Sequence, residues 1–424
     1  MPPPAPAEAP RPATSTADWL RLGLVEGLGP ARILKLLRAF GEPAEILAAP
    51  AARLAPFVGI DIAGRITAAD PQREARVAAS LAWLAAAPDR HLLALDDPAY
   101  PRTWLCLADP PPWVMVQGRL EALALPAIAI VGSRHASAGG ARSARELAAG
   151  LAREGWAVAS GLAQGIDAAG HCGALAADGR TIAFVGTGLD IVYPARNRAL
   201  AARIAASGAI VSEFPLGTRA LRSNFPRRNR LIAAHSRGVV VVEAARRSGS
   251  LITALAAADL GREVFAVPGS IHSPLARGCH WLIRQGACLV EELADIHNEI
   301  PAALRPSTGW PASGTPSAPA HDASSGPPAG SGAASAVENE PDEPAVAATL
   351  AGLDWHPASL DELAQRLGFT VPTLLGALCE LELTGRVERL ADGRYLRCRP
   401  DPVATGAAPA ARPARVARRV DRPV

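Results

Sequence analysis

Six short apolar runs, separated by stretches of helical character, constrain this chain more than any other feature. They are IAIVGS (128–133), WAVAS (156–160), TIAFVG (181–186), AIVSE (209–213), GVVVVEA (238–244) and EVFAVPG (263–269). Each run is continuously apolar and rich in β-branched residues instead of alternating with polar ones. A strand apolar on both faces needs cover on both faces, and helical stretches of roughly 12–20 residues between the strands can supply it. The expectation is an α/β fold: a doubly wound, Rossmann-like parallel sheet spanning about 175 residues.

The flanks have other patterns. Residues 1–16 are rich in Pro and Ala and are expected to be disordered. Over 17–90 the apolar residues follow helical spacing on both sides of Gly27-Leu28-Gly29-Pro30. That tight turn suggests a helix-hairpin-helix element, or else an ordinary turn in a small α-domain. A second, looser turn comes in FVGIDIAGRI (57–66). Residues 301–344 contain too little apolar material to pack and are expected to be a flexible linker between the core (91–300) and a small domain at 345–398. In that domain Ser359 to Glu362 form a capping box, and the residues after it have the order helix, turn, helix, two-stranded ribbon of a winged helix. Its second helix, about 371–383, carries two Glu and no Arg or Lys, so it suits packing or partner docking better than groove reading. The tail, 399–424, is basic and expected to be disordered.

At 424 residues the chain has room for two or three domains, and 49% hydrophobic residues suffice for a large core. No pair of the six cysteines has CxxC spacing and no His joins them in a zinc pattern, so neither a zinc site nor a disulfide framework is expected; free thiols fit a reducing compartment. The amino terminus lacks the basic and apolar regions of a signal peptide, and no apolar run is long enough to span a membrane. These points give a cytoplasmic protein without a membrane partner, metal or cofactor.

In open α/β sheets ligands bind outside the carboxyl ends of the strands. Four loops rich in Gly and Ser fall there: Gly132-Ser133-Arg134, Ser160 and Gly161 to Gly165, Gly186-Thr187-Gly188, and Ser248-Gly249-Ser250. Small residues let the backbone approach a ligand, and the free N–H groups of helix starts favour an anion, which points to phosphate. A dinucleotide is disfavoured, because Arg134 stands where a GxGxxG turn needs Gly and no acid ends the second strand. Neither a GxxxxGK[ST] loop nor a GxSxG elbow is present. Asp167 and His171 are one helical turn apart but lie beside no nucleophile, so no catalytic residue is assigned.

Charge carries the sharper signal. The Lys plus Arg total is 43, yet the chain has one Lys, Lys35. Much of the Arg excess looks compositional. Mapped along 127–300, however, the excess concentrates in 219–247, with eight Arg against one acid, Glu243. Within that window lies Asn224-Phe225-Pro226-Arg227-Arg228-Asn229-Arg230, just before a helix. Arginine binds phosphates in a fork and stacks on bases, Asn can orient, and Phe can stack. A basic stretch with an embedded Phe beside Gly loops suggests a track for single-stranded nucleic acid; a solvated basic face is the alternative.

IAIVGSR, SGLAQGIDAAGH, TIAFVGTGLD, YPARN, SEFPLG, NFPRRNRLIA, VVVVEA, SGSLITA, FAVPGS and LIRQGA, in this order over 128–296 and preceded by YPRTWLCLADPPPWVMVQG (100–118), resemble the DNA-processing protein A (DprA/Smf) family. The resemblance implies an amino-terminal helix-hairpin-helix or SAM-like domain and a carboxy-terminal winged helix. It also implies a non-enzymatic protein that binds and protects single-stranded DNA in natural transformation, loads the recombinase RecA onto it, and acts as a homodimer. By motif, Ser133, Arg134 and the segment Asn224 to Arg230 would map onto the DNA pocket. Ser248 to Ser250 would add N–H groups. One departure is Gly132-Ser133-Arg134-His135-Ala136-Ser137-Ala138-Gly139-Gly140, which lacks the aromatic the family usually carries before the last Gly. The alternative function is a nucleotide-binding or nucleotide-processing Rossmann enzyme resting on the same Gly loops.

Overall fold

The computed structural model describes residues 15–306, 343–353, 358–383, 386–389 and 394–397. The expectations for the first 14 residues, for most of the linker and for the basic tail lie outside the described residues. Ser15 caps helix α1 (Thr16–Gly23) by accepting from the Asp18 N–H at 3.2 Å. Arg305 Nε donates to the Ile300 carbonyl at 3.0 Å.

Five further helices complete the amino-terminal bundle: α2 (Pro30–Phe40), α3 (Pro43–Ala48), α4 (Ala51–Val58), α5 (Ile60–Thr67) and α6 (Pro71–Ala85). Between α1 and α2, Gly27 has φ +82°, a left-handed conformation that Gly adopts without a Cβ clash. Leu22, Leu28, Ile33, Leu36, Leu54 and Ile62 close the core of the bundle. Trp19 and Leu20 pack with Trp113 and Met115, which mounts the bundle on the sheet.

The sheet has nine strands: β1 (Arg90–Ala94), β2 (Trp113–Gly118), β3 (Ala127–Gly132), β4 (Ala157–Ser160), β5 (Thr181–Phe184), β6 (Ala209–Ser212), β7 (Ser236–Val242), β8 (Glu263–Ala266) and β9 (Cys288–Leu289). Their order is β1-β2-β6-β5-β4-β3-β7-β8-β9. All six strands expected from the apolar runs are present, and the pairs from β6 through β9 are parallel. The antiparallel extension β1-β2 was not anticipated. The helices are α7 (Ala138–Arg153), α8 (Ile166–Ala176), α9 (Arg198–Ser207), α10 (Asn224–His235), α11 (Gly249–Asp259), α12 (Arg277–Arg284) and α13 (Leu293–Glu299). Alternate strand residues serve opposite layers. Ile128, Ile130, Val240 and Val242 pack with Ala144, Ala148 and Leu151 of α7. Ala129, Val131, Val239 and Val241 join Leu231 and Ile232 of α10 and Leu251 of α11. This two-sided burial is the physical reason the strands are apolar without alternation.

The parallel part of the sheet starts at β3, winds outward to β6, then crosses to β7 on the other side of β3. The winding therefore reverses between β3 and β7, and a crevice forms outside their carboxyl ends.

The carboxy-terminal unit contains α14 (Glu343–Gly352), α15 (Leu360–Leu367), α16 (Val371–Leu383) and the antiparallel ribbon β10 (Val387–Arg389) with β11 (Tyr395–Arg397). The capping box opens α15: the Glu362 N–H donates to Ser359 Oγ, and Glu362 Oε2 accepts from the Ser359 N–H at 2.7 Å. Leu374, Leu378 and Leu381 of α16 are buried with Leu363 and Val387, so the helix packs within its own domain.

Candidate functional site

The loops at the carboxyl edge of the sheet lie close enough to exclude side chains. A Cβ on Gly132 would lie 1.8 Å from the Val242 carbonyl, and one on Gly165 would lie 2.2 Å from the Ser133 carbonyl. Gly165, at φ +80°, thus lets the β4–α8 loop rest on the β3–α7 loop, and the Ile166 N–H donates to the Ser133 carbonyl at 3.1 Å. The two glycines bring three backbones to one edge, as the sequence suggested. The contacts, however, are between the protein's own segments.

At that edge lies a pocket of about 190 Å³ lined by Arg134, Gly161, Gln164, Tyr193, Arg196, Phe225 and Arg228, among others. Arg228, in the first turns of α10, is the buried group, with 5% of its surface exposed. Its Nε has no hydrogen-bond partner. Burial pulls its pKa down to about 10, and the nearby Asp167 carboxylate pulls the other way. It is therefore still protonated at neutral pH. Gly161 makes room for it: a Cβ there would lie 1.4 Å from Arg228 Nη1. Two aromatic rings share the pocket lining with it. The Phe225 and Tyr193 rings are 5.9 Å apart at 43°, and the exposed Arg134 guanidinium stands 5.3 Å from the Phe225 centroid. A buried guanidinium, two rings and a second Arg in one pocket can hold an anion and a planar group together.

The remaining sequence candidates divide by role. Asn224 is buried and donates to the Gly186 carbonyl at 2.9 Å, which ties the β5 loop to the start of α10. Ser160 Oγ donates to the Ile130 carbonyl at 2.6 Å and is fully buried. Ser133, also buried, accepts from the His135 N–H at 3.1 Å and shapes the turn that carries Arg134. Asn229 donates to the Gly249 carbonyl at 3.4 Å, linking α10 to α11. Ser248 caps α11 by accepting from the Ser250 N–H at 3.3 Å, and a Cβ on Gly249 would meet nothing within 4 Å, so this helix start is open. Arg246 and Arg247 are exposed just before it.

Arg227 and Arg230 turn away from the pocket. Both contact Glu213, whose side chain is 1% exposed: Arg227 at 3.3 Å and Arg230 at 2.5 Å. Arg230 also donates to the Asp109 carbonyl at 2.8 Å. Successive helix residues point about 100° apart, which separates Arg228 from its two neighbours. Sequence reasoning did not single out Tyr193, Arg196 or Gln164 as pocket residues. The available signal was an aromatic and an Arg following the third apolar run, at the same edge of the sheet.

Asp167 and His171 hold the site's frame. Asp167 Oδ2 accepts from the Gly161 N–H at 3.1 Å and the Ala163 N–H at 3.4 Å, and burial pushes its pKa up. His171 Nε2 accepts from the Leu162 N–H at 3.3 Å; Thr181 Oγ1 donates to the Val158 carbonyl and so accepts from His171 Nδ1 at 2.6 Å. Burial drops the His171 pKa to about 3, and that of His235, packed between Trp104 and Phe184, to about 4. Both are neutral in the folded protein and titrate near their ordinary pKa of about 6.5 when unfolded. Below that pH the unfolded chain binds more protons, so stability falls as pH falls. Each histidine contributes up to about 1.4 kcal/mol per pH unit until its folded pKa is reached. Because the raised pKa values of the buried Asp167 and Glu213 act in the opposite direction, urea unfolding of the wild type and of His235→Phe at pH 7 and pH 5 checks this: the midpoint is expected to fall further at pH 5 in the wild type, and equal changes contradict it.

Among the described residues no group of His, Cys, Asp and Glu is arranged to hold a metal, and no helix is long and apolar enough to cross a membrane. The profile of DNA recombination-mediator protein A matches residues 91–301, and that of the DprA winged helix domain matches 331–393. Protein Smf of Escherichia coli K12 is 41% identical over 328 residues, covering 76% of this chain and 81% of its own. The chain belongs to the DprA/Smf family. DNA processing protein DprA of Streptococcus pneumoniae R6 is 46% identical over 202 residues, covering 48% of this chain and 71% of its own. The X-ray structure of DprA from Streptococcus pneumoniae superposes with a TM-score of 0.60 at 36% identity, covering 68% of this chain and 99% of that one. As a DprA/Smf member the chain is a DNA-processing protein with a mixed α/β core and a winged-helix domain.

Proposed function

We propose that the protein binds single-stranded DNA in the pocket between Arg134, Phe225 and Arg228, without catalysing a reaction. The observation that carries this reading is the buried Arg228 guanidinium, whose Nε has no partner and which lines one pocket with Tyr193 and Phe225. A buried guanidinium with an unsatisfied N–H is costly, and a phosphate oxygen entering the pocket would offset that cost. The rings then face a base, which single strands can expose and duplexes keep stacked inside. Stacking on rings is tolerant of sequence, so the protein holds any strand. Gly132, Ser133, Ser160, Gly161, Gly165, Gly186, Asn224 and Asn229 shape the loops. Arg246, Arg247 and the open start of α11 at Ser248 to Ser250 extend the track.

In the cell this activity protects strands entering in natural transformation and passes them to RecA, with the protein acting as a cytoplasmic homodimer. The family resemblance supports these roles. Arg227 and Arg230 serve the fold more than the strand, because Glu213 engages both.

The test is direct. Arg134→Ala and Arg228→Ala should each weaken binding of oligonucleotides by about tenfold whatever their sequence, and each should reduce the slope of log affinity against log salt by about one. Unchanged affinity and slope in both variants would mean the site lies elsewhere.

A further inference from the structure

Glu243 is the single acid in the basic window 219–247, and the DNA pocket gives it no task. It directly follows β7 with φ +54°, a left-handed conformation that a residue with a side chain rarely adopts. Its carboxylate lies at the amino end of α7. Oε2 accepts from the Ser137 N–H at 2.8 Å, and Oε1 accepts from the Ser137 hydroxyl. Ser137 Oγ in turn accepts from the Gly140 N–H at 3.0 Å. Gly140 leaves the space: a Cβ there would lie 2.3 Å from the Glu243 carboxyl carbon. In a dinucleotide-binding fold the amino end of the first helix receives the pyrophosphate. Here the protein's own carboxylate fills that position.

We propose that Glu243 is a positioning residue that clasps the two loops carrying the exposed Arg134 and Arg246. Arg134 lies three residues before Ser137, and Arg246 lies three residues after Glu243. One carboxylate therefore fixes the spacing of both loops along the strand. It also keeps phosphate away from α7, so the DNA backbone is received on the Arg134 and Arg228 side. The role in DNA binding rests on the proposed single-stranded DNA function.

Simple charge counting and the clasp predict opposite results. Removing an acid from a basic surface should tighten DNA binding. The clasp predicts that Glu243→Ala weakens binding of an oligo-dT strand by about tenfold, because the loops lose their preorganisation. Glu243→Gln keeps both contacts, since its amide oxygen accepts from the Ser137 N–H and its amide N–H donates to Ser137 Oγ. It should bind at least as tightly as the wild type. Glu243→Ala binding as tightly as Glu243→Gln would overturn the proposal. Amide hydrogen exchange over 133–140, measured without DNA, should be faster in Glu243→Ala than in Glu243→Gln, and equal rates would also overturn it. This second readout separates the clasp from the DNA reading, which alone falls if the wild type binds no strand. If Glu243→Ala does not fold, Ser137→Ala removes one leg of the clasp. It should show the same losses at smaller size, and wild-type affinity and exchange in it would overturn the clasp.

Discussion

Gly161→Ala is expected to weaken binding of single-stranded DNA by about tenfold or more while leaving the protein folded. The added methyl would lie 1.4 Å from Arg228 Nη1, so the guanidinium must leave its place. Gly161 is not among the residues with positive φ, so alanine can adopt its backbone conformation. The helices and strands around it should therefore survive. The loss falls on the one buried charge facing the pocket. A charge-assisted hydrogen bond to a phosphate is worth about 1.5–3 kcal/mol, which corresponds to roughly 10- to 100-fold in affinity. Asp167 would lose its nearest compensating charge and add a modest cost in stability. Fluorescence anisotropy with a labelled oligonucleotide, beside circular dichroism, measures both. Wild-type affinity in a folded Gly161→Ala protein would show that Arg228 does not hold the strand.

Glu213→Ala is expected to act on stability, not on the pocket. Glu213 is buried, its Oε2 receives Arg227 and Arg230, and its Oε1 has no hydrogen-bond partner. Burial raises its pKa, and the two arginines oppose that shift. Breaking a buried pair by removing one partner leaves an uncompensated charge and costs about 3–5 kcal/mol. Here Arg230, with 14% of its side chain exposed, would keep only Asp109. Chemical denaturation should show a large drop in midpoint. The protein that remains folded at low temperature should bind DNA within about threefold of the wild type, because Arg134, Phe225 and Arg228 are untouched. A wild-type midpoint, or loss of DNA binding in the folded variant, would contradict this division.

The sheet was legible because its strands are buried on both faces. Ile128 to Val131 and Val239 to Val242 have no polar face to confuse with a helix. The loops were legible for a related reason: Gly132, Gly161 and Gly165 stand where backbones and a guanidinium approach too closely for a Cβ. The antiparallel edge was not, since β1 is the short run Arg90–Ala94 and its partner β2 comes 18 residues later, after a turn of 3₁₀ helix at Arg102–Cys106. Nor could the sequence sort Arg227, Arg228 and Arg230. Their directions depend on where Glu213 and Gly161 lie in space, and those residues are 14 and 67 positions away from Arg227 and Arg228. Tyr193 escaped because its ring meets Phe225 only through the fold. The Arg-for-Lys bias likewise gained meaning only by position: Arg228 uses a buried fork, whereas an exposed helix-face Arg could be Lys at little cost.

The most direct measurement is a binding titration of the wild-type protein with single-stranded oligo-dT and with a duplex of equal length, across a series of salt concentrations. The account predicts clear preference for the single strand at every salt, with log affinity falling linearly against log salt as phosphates displace counterions. Equal or stronger binding of the duplex would contradict it, because Phe225 and Tyr193 would then have no exposed base to receive.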